Sequence, residues 1–138
     1  MDNHFMEYND ILNKINEIQA KITDVKETMC TVRGISFDDV PKGTGGGLDI
    51  VYFLAEIEEL EIELYALEQK KNELRKKHEE EIDKLKNNKH KSILRMAYIH
   101  RLDKYKIADT LNISIGYYAQ LKGEAKKEFI LTILNNSK

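Results

Sequence analysis

Residues 103–125 read DKYKIADTLNISIGYYAQLKGEA, and this stretch decides the fold. Asp103 is placed to cap a helix, since its carboxylate can accept from the orphan N–H groups of a first turn. Tyr105, Ile107, Ala108 and Leu111 give a short apolar face at helical spacing. Asn112-Ile113 makes the break, with Asn suited to a left-handed turn position. Ser114 caps the next helix, whose inner face holds Tyr118, Leu121 and Ala125 at steps of three and four. Ile115, Gly116, Tyr117, Ala119, Gln120 and Lys122 point outward. Helix, tight turn, exposed helix is how a DNA-reading helix-turn-helix is built: the first helix braces and the second lies in the major groove. A plain helical hairpin in a small bundle satisfies the same spacing.

The surrounding composition bounds what this unit belongs to. The chain has 138 residues, room for one modest domain or two small ones. One proline and 33% charged residues point to long solvated helices rather than a large core. No apolar run is long enough to cross a bilayer and no signal-peptide pattern occurs, so a bacterial cytoplasmic location is expected. Cys30 is the only cysteine, so no intramolecular disulfide can form; beside a heptad position, it is expected to be a small buried thiol. The net charge of −2 hides an asymmetry. Residues 1–88 carry 12 Lys and Arg against 20 Asp and Glu, a net of −8, while 89–138 carry 10 against 4, a net of +6. A basic end on an acidic stalk fits a nucleic-acid-binding head joined to a non-binding one.

Upstream, apolar residues fall at Tyr8, Ile11, Ile15, Ile18, Ile22, Val25, Met29 and Val32, in alternating steps of three and four. This is a coiled-coil seam, on a helix from about His4 to Val32, roughly 40 Å at about 1.5 Å per residue. Residues 34–48, GISFDDVPKGTGGGL, read as a loop, because Pro41 and the glycines oppose a helix. Lys42 precedes the glycines and no Gly-Lys-Ser/Thr follows, which argues against a phosphate cradle. A second helix, capped by Asp49 and running to about Lys86, carries the seam Ile50, Phe53, Ile57, Leu60, Leu64, Leu67, Lys71, Leu74, His78, Ile82 and Leu85. Two heptad helices across a glycine loop predict an antiparallel hairpin. The second helix is longer, roughly 55 Å, so Tyr8 should lie near residues 71–75. Leu74, Ile82 and Leu85 then need another partner, the N-terminal arm, the C-terminal domain or a second chain, the last favoured in part because a two-helix hairpin has little core. Glu56, Glu58, Glu59, Glu61 and Glu63 form an acidic patch, and Lys70, Lys71, Arg75, Lys76 and Lys77 a basic one. These read as a solvated coiled-coil surface or a docking face.

Asn87-Asn88 separates stalk from head. A third helix from Ser92, with Ile93, Leu94, Ala97, Tyr98 and Leu102 inward, supplies the core a helix-turn-helix requires. After the reading helix, Lys126, Lys127, Phe129, Ile130 and Ile133 continue the last helix. Catalytic patterns are missing. His4, His78, His90 and His100 are scattered, His78-Glu79-Glu80-Glu81 is not a zinc-protease motif, and no cysteine pair exists for zinc. No enzyme, cofactor or metal is expected.

LRMAYIHRLDKYKIADTLNIS, from Leu94, is similar to region 4 of bacterial sigma factors, with its apolar helix, Y-I-x-x-L turn, I-A-x-x-L helix and I-S turn. LNISIGYYAQLKGEAKKEF resembles the end of the RinA/ArpU-like phage transcription regulators, where a leucine followed by x-G-E-A sits late in the recognition helix. Their layout also resembles this chain: heptad helix, glycine-rich loop, long acidic helix, sigma-region-4-like end. The resemblance implies a DNA-binding regulator of phage late or packaging genes in a low-GC Gram-positive host. One departure is that the outward face of 115–120 lacks arginine, which predicts weaker or A·T-leaning binding.

The expectation is an all-α protein: a long antiparallel coiled-coil hairpin over 1–88, then a helix-turn-helix domain over 89–138. Its partner is double-stranded DNA. Ile115, Gly116, Tyr117, Ala119 and Gln120 read bases, with Gln120 able to pair bidentately with adenine. Arg101, Lys104, Lys106, Lys122 and Lys126 contact phosphates. Ile15, Ile18, Ile22, Val25, Leu60, Leu64, Leu67 and Leu74 form an oligomer or partner seam, for a homodimer or RNA polymerase contact. The competing expectations are a protein-binding coiled-coil adaptor or inhibitor, and a small-terminase-like packaging subunit.

Overall fold

The structure, a computed structural model, describes residues 2–32 and 46–135, with side chains for 2–31 and 50–135. Most of the loop expected over 34–48, including Ile35, Phe37, Val40 and Pro41, lies outside the described residues. A 3-10 turn, Asp2–Phe5, leads into α1, Met6–Val32. The long helix α2 spans Gly46–Asp83, starting three residues before the expected cap Asp49. Its end is tightened by i→i+3 bonds, Lys84 N–H to Glu81 and Leu85 N–H to Ile82. Next come α3 (Asn88–Leu94), which continues as a π turn over Arg95–Ile99, and α4 (Lys104–Leu111). The last helix, α5 (Ile115–Phe129), continues as a second π turn over Ile130–Leu134. Among the described residues the protein is all-α, as the sequence implies. The start of α3 lies at Asn88 rather than Ser92, because the Asn87 side chain accepts from the N–H groups of Lys89 and His90.

The chain divides into two compact units, Asn9–Lys71 and Met1–Tyr8 with Asn72–Lys138. The division falls inside α2, not at residue 88. In the first unit Ile18, Ile22 and Ile57 are buried together, and Val25, Leu60, Leu64 and Leu67 pack against them. The heptad residues proposed as an oligomer seam are thus used between α1 and α2 of one chain. Ile15 is buried as well, whereas Leu74 is half-buried and belongs to the second unit. Cys30 is exposed, contrary to expectation: it follows the half-buried seam residue Met29 and turns about 100° away from it.

The second unit holds two apolar clusters. In one, Phe5 meets Ile82, Leu85, Leu94, Tyr98, Ile99, Ala125, Phe129 and Ile133. Phe5 is fully buried and stacks on Tyr98, ring centroids 4.6 Å apart. Such burial stabilises by about 1.5–3 kcal/mol. The π turns matter here. His100 N–H bonds to Arg95 and Asn135 N–H to Ile130, each five residues back, so Leu94 and Ile99, and again Phe129 and Leu134, reach one cluster at a five-residue step. Ile82 and Leu85, assigned in part to a second chain, are buried within this chain. The other cluster, Ile93, Ile107, Ala108, Tyr118 and Leu121, sits under α4 and α5.

Candidate nucleic-acid interface

The two helices of the expected reading unit form where their caps dictate. The Asp103 carboxylate accepts from Lys106 N–H at 2.8 Å, and the Ser114 hydroxyl from Tyr117 N–H at 3.1 Å. Between them Asn112 adopts the left-handed conformation, φ 58° and ψ 47°. That residue reverses the chain while Ile113 N–H returns to the Ala108 carbonyl at 2.9 Å. Ile107, Ala108, Tyr118, Leu121 and Ala125 face inward as the spacing predicts.

Tyr105 does not. It is 64% exposed, because it lies two residues, about 200°, around the helix from buried Ile107. Its ring instead carries the Lys104 ammonium, 5.2 Å from the centroid.

All five residues expected to read bases, Ile115, Gly116, Tyr117, Ala119 and Gln120, lie exposed on the first turns of α5. A side chain built on Gly116 would meet nothing within 4 Å, so the surface there is open. The Gln120 amide is 3.4 Å from Glu124, a weak local bond that leaves it at the surface. Tyr117 also borders a cavity of about 250 Å³ with Lys89, Ser92, Leu111 and Leu121.

The five phosphate candidates separate into two groups. Arg101, Lys104 and Lys106 are exposed, and Arg101 has a positive φ of 54° at the α3–α4 turn. Lys122, expected to face outward, is half-buried, its ammonium 5.7 Å from the Tyr98 ring and 5.9 Å from the Tyr118 ring. Lys126 lies 3.8 Å from the Asp2 carboxylate, which also accepts the Tyr98 hydroxyl at 2.8 Å. The Tyr98 hydrogen bond, then the Lys126 charge, hold Asp2 below the usual carboxylate range. Burial, with Asp2 beside it, pushes the Tyr98 phenol up.

Two histidines described above as scattered come together. His4 Nε2 lies 2.9 Å from both Glu81 carboxylate oxygens, and His78 Nδ1 lies 2.8 Å from Oε1. His78 is buried, and desolvation pushes its imidazole below the ordinary value despite Glu81. Glu81 is raised by desolvation but more than offset by its two histidine partners, and ends low. Among the described residues this is the group whose donor atoms close within 4.8 Å of one another. A third histidine, His90, donates from Nδ1 to Glu128 at 2.8 Å, while Lys86 N–H bonds the other Glu128 oxygen at 3.0 Å. The spacing of His78 and Glu81 was visible; the arrival of His4, 77 positions from Glu81, had no local signal.

Fold and surface together define a class, an all-α protein whose second unit presents a pair of capped helices joined by a tight turn. The chain belongs to the DUF1492 family, described as a protein of unknown function, whose family model matches residues 30–130. No curated protein and no solved structure matches it. No helix among the described residues is long and apolar enough to cross a membrane.

Proposed function

We propose that the chain is a DNA-binding transcription regulator of phage or prophage origin, related to the RinA/ArpU-like regulators. The observation that carries this reading is the solvent-facing start of α5, held by two side-chain caps and a left-handed Asn112. That arrangement supports a reading helix, and the +6 balance of residues 89–138 supports a polyanionic partner. Gln120 supplies adenine recognition, and Ile115 and Ala119 meet thymine methyl groups. Arg101, Lys104 and Lys106 are the phosphate contacts with exposed side chains. Lys122 and Lys126 brace the head through Tyr98, Tyr118 and Asp2, so they make poorer phosphate ligands than the sequence suggests.

The test is retention of sheared DNA from the source genome by the full chain at two salt concentrations, with sequencing of what is bound. A few fragments retained, and a steep loss with salt, is the expected result. Gln120→Ala relaxes base preference at one position, whereas Lys106→Ala weakens all DNA and reduces the salt slope by about one. No retention at low salt overturns the reading.

One observation favours a second reading, a protein-binding adaptor: Val51, Tyr52, Leu54, Ile62 and Tyr65 of α2 are all more than half exposed. Charge reversal at Glu58, Glu59 and Glu61 abolishes capture of a protein partner on that reading and leaves DNA retention unchanged.

A further inference from the structure

We propose that His4, His78 and Glu81 form a binding site for a zinc-type divalent metal ion. The ion fastens the Asp2–Phe5 turn to α2.

Two observations carry this. The first is donor chemistry. Two imidazole nitrogens and a carboxylate are ligands of zinc and its neighbours in the first transition row, whereas magnesium and calcium take oxygen. The second is distance. The donor atoms already stand 2.8–2.9 Å apart across Glu81 and all lie within 4.8 Å. In a tetrahedral site with bonds of about 2.0–2.1 Å, ligand atoms sit roughly 3.3 Å from one another. Small rotations of His4 and Glu81 therefore open the space for an ion.

The surroundings suit a structural ion. The Phe5 ring lies 4.5 Å from the His78 ring, the Phe129 ring 5.5 Å from the His4 ring, and Tyr8 closes on His78 at 6.0 Å. These walls exclude water from one side and strengthen ion–ligand attraction. His4 is partly exposed and marks the open side, where water completes the coordination. The ion takes neutral imidazoles and an ionised carboxylate, so binding weakens in acid, where protons compete for the same atoms.

The experiment is a Zn²⁺ titration of the full chain carrying Cys30→Ser, which removes the exposed thiol. One ion per chain is the expected stoichiometry. His4→Ala weakens binding at least about tenfold, while circular dichroism shows the helices intact. Co²⁺ substituted at the site gives the intense visible bands of four-coordinate geometry. Uptake that is absent in excess metal, or unchanged by both His4→Ala and Glu81→Gln, overturns the proposal. Binding lost on His90→Gln instead, or a pale octahedral Co²⁺ spectrum, overturns it as well. The readout contains no DNA, so it is independent of the proposed function.

Discussion

The two compact units are stabilised in different ways. In Asn9–Lys71 the apolar seam is regular: α1 buries Ile11, Ile15, Ile18 and Ile22, while among the described residues α2 contributes Ile57 as a buried residue and Leu60, Leu64 and Leu67 are half-covered. In the other unit Phe5, Ile82, Ile93, Leu94, Ile107, Ala125 and Phe129 are completely buried, and no repeat in the sequence links them. A repeating seam can be read from its period but covers its residues partially. A core gathered from separate segments covers them fully, and its membership follows no period.

Two truncations of apolar side chains sharpen that contrast. Phe5→Ala should cost about 3–5 kcal/mol, since it empties a closed site walled by Tyr98 and Phe129. Ile22→Ala should cost about 2 kcal/mol, the lower end of its range, because partly covered neighbours can collapse on the gap. Urea unfolding of the full chain measures both, and equal losses would erase the distinction. The smallest effect tests the polar side of the same unit. Lys86 N–H and His90 oppose the desolvation that raises Glu128, and leave its carboxyl below the ordinary 4.5. A depressed carboxylate contributes stability above its unfolded value and loses it as pH falls through the folded one. Glu128→Gln should therefore destabilise by less than about 1 kcal/mol at pH 7, because water still reaches the half-buried carboxylate and screens it. Below pH 4 it should make almost no difference. A mutant deficit that persists in acid would assign Glu128 a steric role instead.

The legible parts of the sequence were those governed by short-range rules. Asp103, Asn112 and Ser114 act within three residues of their own positions, and each does what its side chain implies. The α1 seam is legible for the same reason. Tyr105 failed because an eight-residue helix offers apolar residues on more than one face and spacing cannot choose between them. Cys30 failed by one step of the helix, since a residue beside a seam is not in it. Ile82 and Leu85 are covered by the N-terminal arm and the C-terminal helices, two of the three partners the sequence allows, rather than by the second chain favoured in part; Phe5, Leu94 and Phe129 stand too far along the chain for spacing to choose among them. Among candidate sites the exposed α5 face was readable, whereas the His4, His78 and Glu81 group depends on an encounter that no local pattern encodes.

The docked Asp2–Phe5 turn also sets an order of events. Its hydrogen bond from Tyr98 spans 96 positions, and that from Tyr8 to Ile99 spans 91. Contacts of such separation must wait for chain closure, whose entropy is lost before any burial rewards it. The capped α4–α5 pair can form early on local bonds alone. The cluster around Phe5 cannot, so completion of the second unit reports that distant parts of the chain have met.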